Sequence, residues 1–70
     1  MKLRIQLGLN IQAARRSKGF SQEALAHLAD IDRGYIGKIE NAKNAASIDM
    51  VEAIADALGI EARDLLSPRS

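Results

Sequence analysis

The 70-residue chain has no cysteine and no tryptophan, and only one each of phenylalanine, tyrosine, histidine and proline. Without cysteine it can form neither a disulfide nor a thiolate metal site. Small domains often lean on such staples, so close helix packing or self-association must take their place. With two aromatic rings and 47% hydrophobic residues, the core must come from Leu, Ile and Ala, a composition suited to packed helices rather than a sheet. Long apolar runs are missing as well. Nothing reaches the roughly 18 apolar residues of a membrane span, and Arg4, Gln6, Asn10 and Gln12 interrupt the N-terminus too soon for a secretory leader. These absences predict a cytoplasmic protein with no membrane partner.

Catalytic chemistry is equally scarce. His27 has no HExxH partner, and no paired carboxylates or nucleophile stand near it in the sequence. Ser17, Ser21, Ser47, Ser67 and Ser70 lack a base, and no glycine-rich loop follows a credible strand. The chain is therefore expected not to be an enzyme, to need no cofactor or metal, and to have no small-molecule ligand.

What is present is charge arranged by position. The formal net charge is only +1. Residues 1–45, however, hold eight cations against four carboxylates, while residues 46–70 hold two against five. A basic front and an acidic back would turn one face toward a polyanion.

Caps and apolar spacing divide the chain into five helices. The first runs from about Leu7 to Lys18 and stops at Gly19. Ser21 caps the second, with Phe20 and Leu25 at the positions of a hydrophobic staple, and Leu25, Ala26 and Leu28 turned inward before an end near Ala29. Asp32 caps the third, which continues to about Glu40. Ser47 caps the fourth, where Ile48, Val51, Ile54, Ala55 and Leu58 form an apolar stripe closed by Gly59. A short fifth helix, about Glu61 to Leu66, tucks Leu65 and Leu66 beneath the others. No repeat or linker interrupts the pattern, so residues 1–70 are read as one all-α, five-helix domain with frayed ends at 1–6 and 67–70.

Residues Ser21 to Asn41 carry the most information. Two short helices meet at a tight turn with small Ala26 at the contact, Ile31 plugging the turn, and Ile36 and Ile39 filling the groove below. Arg33, Gly34, Gly37 and Lys38 then face outward. This is the layout of a helix-turn-helix whose second helix enters the DNA major groove. The apolar residues argue for the shape, since any helical hairpin needs them. Gly34 and Gly37 are locally unfavourable in a helix, by roughly 1 kcal/mol each relative to Ala. Either they let backbone approach DNA closely or they merely avoid a clash.

The segments LGLNI, GFSQEALA, DRGYIGKIE and IADALGI, with an Arg four residues before Gly19, resemble the Cro-type, phage-repressor-like (XRE) helix-turn-helix family over about Leu7 to Leu66. The Asp-Arg-x-Tyr-Ile segment is similar to one in small controller proteins of restriction–modification systems. The resemblance implies a compact lambda-repressor-like fold and double-stranded DNA as partner. It further implies that Gln22 contacts the DNA backbone and braces the third helix, and that Ser21 adds a phosphate contact to its capping role. Arg33 is the foremost base reader, because a guanidinium can bind guanine O6 and N7 together. Lys38 would reach a base or a phosphate. Tyr35 would either place its hydroxyl on a phosphate or pack its ring beside the turn. Lys43 and Asn44 lie in the loop where family members grip the backbone. Arg15 and Glu40 occupy positions that in some members form a buried ion pair between the first and third helices.

Three residues depart from the family's pattern: Asp30 and Ala42 stand in place of glycine, and Ala45 in place of a frequent Asn. Because one short helix reads few base pairs, a homodimer on a pseudo-palindromic operator is expected, with Ile60, Leu65 and Leu66 as its interface and Met50 at its margin. The competing reading is an antitoxin-like or scaffold module that binds protein. Such a module would favour exposed Leu, Met or aromatic residues on the third helix, where this chain has Arg33 and Lys38.

Overall fold

A computed structural model describes residues 2–68. Five helices follow in order: α1 (Lys2–Ser17), α2 (Gln22–Ala29), α3 (Arg33–Glu40), α4 (Ile48–Leu58) and α5 (Ala62–Leu66). No strand occurs among the described residues. Ser21, Asp32 and Ser47 cap as their chemistry dictates, each side chain accepting from a backbone N–H in the first turn of its helix. At α5, Glu61 is the cap residue and its N–H donates to Asp64 Oδ2 at 3.2 Å.

Four helix ends close in the same way. Phe20 N–H reaches Arg15 O, Ile31 N–H reaches Ala26 O, Lys43 N–H reaches Lys38 O, and Ile60 N–H reaches Ala55 O. Each bridge spans a residue with positive φ: Gly19 (75°), Asp30 (57°), Ala42 (60°) and Gly59 (70°). This is the Schellman closure, which satisfies carbonyls that the helix leaves open.

The core consists of Leu7 and Ile11 from α1, Leu25, Ala26 and Ala29 from α2, and Ile36 and Ile39 from α3. Val51, Ile54, Ala55 and Leu58 from α4 and Leu65 from α5 complete it. Helix α2 is wedged between α3 and α4, while α1 runs beneath and touches α3, α4 and α5. Ala26 is buried in the core and Ile31 lies half-buried against it.

Several expectations need correction. Helix α1 begins at Lys2 rather than Leu7, so residues 2–6 are helical, and Ser67 is tied down by its Oγ donating to Arg63 O at 2.8 Å. Met1, Arg69 and Ser70 fall outside the described residues. Leu28 is 54% exposed, because it lies off the arc shared by Leu25, Ala26 and Ala29, which face the core. Ile48 is 86% exposed. It holds the first position of α4, where a side chain leans toward the helix N-terminus and so past the end of the bundle. Leu65 is wholly buried within the protomer and Leu66 stands at the surface. Leu65 therefore has no side-chain surface to offer a partner copy.

Candidate nucleic-acid interface

Helix α3 owes its orientation to a polar network centred on Glu40. Among the described residues this carboxylate is the one buried charged side chain, at 4% exposure. Arg15 Nε donates to Glu40 Oε2 at 2.7 Å, and Arg15 Nη2 and Gln22 Nε2 each donate to Oε1 at 3.1 Å. Arg15 Nη1 donates to Phe20 O at 2.9 Å. One ion pair thus joins α1, the α1–α2 loop, the start of α2 and the end of α3. A buried charge is tolerable only when paired and hydrogen-bonded, and Glu40 is both.

Sequence reasoning missed how α1 grips the other end of Glu40. Gln12 Nε2 donates to Glu40 O at 3.1 Å, capping a carbonyl that the helix leaves open. One turn earlier, Gly8 presses its bare backbone onto α3. A Cβ there would stand 2.5 Å from Glu40 O and 2.8 Å from Ile39 O, so only glycine allows the approach. The available signal was a glycine in mid-helix, which often marks close packing. Asn10, on the same helix, donates from Nδ2 to Leu65 O and Ser67 O, both at 2.8 Å, and so terminates α5.

With its inner side held in this way, α3 presents an outer arc. At about 100° per residue, Arg33, Gly37, Asn41, Gly34 and Lys38 follow one another around that arc. Arg33, Gly34, Lys38 and Asn41 are exposed and Gly37 half-buried, whereas Ile36, Ile39 and Glu40 point inward. Ser21 and Gln22 come to the Arg33 side of the arc, where they line a polar cleft with Arg15, Glu23 and Arg33. Gln22 also stands beside Gly37, with Oε1 3.6 Å from where a Cβ would be. Lys43 is exposed and Asn44 half-buried just beyond the α3 closure, and both N–H groups are directed to Lys38 O.

Tyr35 is not on the arc. Its hydroxyl donates to Ala45 O at 3.0 Å, and its half-buried ring packs against the core. Of the two roles open to it, the packing role is the one this geometry serves, since the hydroxyl proton is already committed. Asp30 and Ala42, which replace glycine in the expected pattern, do stand at left-handed positions.

A helix capped by Asp32, packed against α2 and turned outward along a bare, cation-flanked arc is a helix-turn-helix. Residues 11–65 match the family described as HTH_3, Helix-turn-helix. The chain belongs to this Cro-type (XRE) helix-turn-helix family. It is 40% identical over 65 residues to Control protein C.BamHI of Bacillus amyloliquefaciens, covering 91% of this chain and 80% of that one. It is 38% identical over 66 residues to a hypothetical transcription factor of Neisseria meningitidis serogroup B, covering 94% of this chain but 62% of the relative. The crystal structure of the restriction-modification controller protein C.AhdI from Aeromonas hydrophila superposes with a TM-score of 0.89 at 35% identity, over 93% of this chain and 98% of that one. Similarity to regulators thus extends across nearly the whole helix-turn-helix chain. Among its described residues no helix is long and apolar enough to cross a membrane, and no cluster of three or more His, Cys, Asp or Glu could hold a metal ion.

Proposed function

We propose that this protein is a transcriptional regulator that binds double-stranded DNA sequence-specifically, with α3 in the major groove. The outer arc of α3 is the observation that carries the reading. Its apolar residues are all directed inward, while Arg33 and Lys38 stand exposed beside Ser21, Gln22 and Lys43. A protein-docking face would place large apolar side chains there. Arg33 reads a base edge; Ser21, Gln22, Lys43 and Asn44 position the protein on phosphates, and Lys38 reaches a base or a phosphate.

The protein acts as a homodimer on a pseudo-palindromic operator. Exposed Leu66 supports this, because it continues into an apolar groove lined by Leu3, Leu7, Ala46, Ile48 and Val51, and half-buried Ile60 lies at the start of the α5 segment. Two copies joined through α4 and α5 would set their α3 helices in successive major grooves, about 34–36 Å apart.

The test is a fluorescence anisotropy titration against a randomised duplex pool at two salt concentrations, with sequencing of the bound fraction. Salt-sensitive binding that enriches a two-fold symmetric site supports the proposal, with a log–log salt slope of about −0.9 per phosphate neutralised. Enrichment of a single half-site would remove the dimer. No binding at low salt would transfer the arc to a protein partner.

A further inference from the structure

The centre of the α3 arc carries no side chain beyond glycine hydrogens until Asn41 at its end. Gly37 and Gly34 lie between Arg33 at one edge and Lys38 at the other. Nothing inside the molecule requires glycine at position 37. A Cβ there would make an ordinary contact with Gln22 Oε1 at 3.6 Å and Nε2 at 4.0 Å. At Gly34 a Cβ would meet only Asp32 Oδ1, at 3.0 Å, the end of an exposed capping side chain. Contrast Gly8, where backbone blocks any Cβ. Neither α3 glycine has a positive φ. Gly34 is crowded by the carboxylate oxygen that caps its own N–H at 2.8 Å, but Gly37 persists as a helix-weakening residue on the arc with no internal packing reason.

The bare strip also has limited hydrogen-bonding capacity. Beyond the first turn its N–H groups are spent within the helix, and those of Gly34 and Asn41 are bonded to Asp32 Oδ1 and Gly37 O. With no backbone donor free along it, the strip suits an apolar group. The largest apolar group that a base pair offers in the major groove is the 5-methyl of thymine, where cytosine has only a C–H. Resting on the reading of α3 as the DNA-contacting helix, we infer that the Gly34–Gly37 strip is a notch that receives a thymine methyl group. Arg33 and Lys38 engage the polar edges and phosphates to either side. Gly34 and Gly37 thus determine specificity by shape rather than by hydrogen bonds.

The experiment is a methyl-for-methyl exchange on the enriched duplex. Each thymine is replaced in turn by deoxyuridine, which lacks only that methyl, and affinity is measured for the wild type and for Gly37→Ala. The wild type should lose about fourfold at one thymine per half-site, as expected for one buried methyl group. Gly37→Ala should reverse the preference and bind deoxyuridine more tightly at that position, since the new Cβ fills the space the methyl leaves. It should also raise Tm, because alanine stabilises a helix interior relative to glycine.

Wild-type indifference to deoxyuridine at every position would overturn the notch, and so would an unreversed preference in Gly37→Ala. A bound site with no thymine under α3 would do the same. Failure of the wild type to bind any duplex is a separate outcome, and it would overturn the DNA reading itself.

Discussion

Helices α1 and α4 and the α2–α3 unit close their ends with one hydrogen-bond pattern but with different residues. The scaffold helices use Gly19 and Gly59 at the left-handed position, whereas the unit that bears the arc uses Asp30 and Ala42. The contrast recurs within the helices. In α1 the glycine at position 8 is demanded by the backbone of α3, while in α3 the glycine at 37 has room for a side chain and the one at 34 is crowded only by the Asp32 capping carboxylate. In the scaffold, every glycine has a visible cause: Gly19 and Gly59 take left-handed positions, and Gly8, unfavourable within a helix, is required by the backbone of α3. In the α2–α3 unit four residues, Asp30, Gly34, Gly37 and Ala42, go against local preference with no backbone contact that demands them. Local inconsistency gathered at one place is the mark of a functional surface rather than of a folding element.

The contrast would be broken most forcefully at the joint between the two regions. Glu40→Ala leaves Arg15 with its side chain only 12% exposed and its partner gone. The expected loss is about 3–5 kcal/mol of unfolding free energy, measured by denaturant titration. A loss below about 1 kcal/mol, the scale of a surface pair, would mean the network does not hold α3 in place. Gly8→Ala strikes the same joint sterically. It should destabilise by about 1–3 kcal/mol, because the carbonyls at 39 and 40 must move to admit the methyl.

Arg33→Ala sharpens the comparison from the other side. Stability should change by less than about 0.5 kcal/mol, as at an exposed site, while discrimination at one base pair falls by about 1–3 kcal/mol. Competition titrations against single-base variants of the operator read this directly. Lys43→Ala, by contrast, should weaken all sequences evenly and flatten the salt slope by about one unit. Equal, sequence-independent losses in both variants would demote Arg33 to a phosphate contact.

The smallest effects come from exchanging the helix closures. Ala42→Gly should raise stability by about 1 kcal/mol, since glycine occupies the left-handed region without the Cβ penalty. Gly59→Ala should lower it by a similar amount: the nearest atom, Lys18 Nζ, is 3.7 Å from the new methyl, so conformation alone is penalised. Thermal melts of the two variants should therefore shift in opposite directions. Shifts of the same sign would mean that the two closures differ in more than their residues.

Residues a turn apart determined what could be read from the sequence. The caps at Ser21, Asp32 and Ser47, the stop at Gly59 and the Val51–Ile54–Ala55–Leu58 stripe are local features. Each is settled by hydrogen bonds or periodicity within about four residues. The outward set Arg33, Gly34, Gly37 and Lys38 follows from the same periodicity, and the membership of the family was legible in the motifs those residues form. Tertiary structure alone decided the rest. Gln12 meets Glu40 across 28 positions and Asn10 meets Leu65 across 55. Leu28 and Ile48 fall outside the core, Leu65 falls inside it, and Tyr35 gives its hydroxyl to Ala45. Helical position explains Leu28 and Ile48 once the core-facing arcs are known, but those arcs and the contacts of Gln12, Asn10, Leu65 and Tyr35 depend on where one helix crosses another. That crossing is fixed by bare Gly8 against the α3 carbonyls and by Arg15 against Glu40, contacts that exist only once the helices have packed.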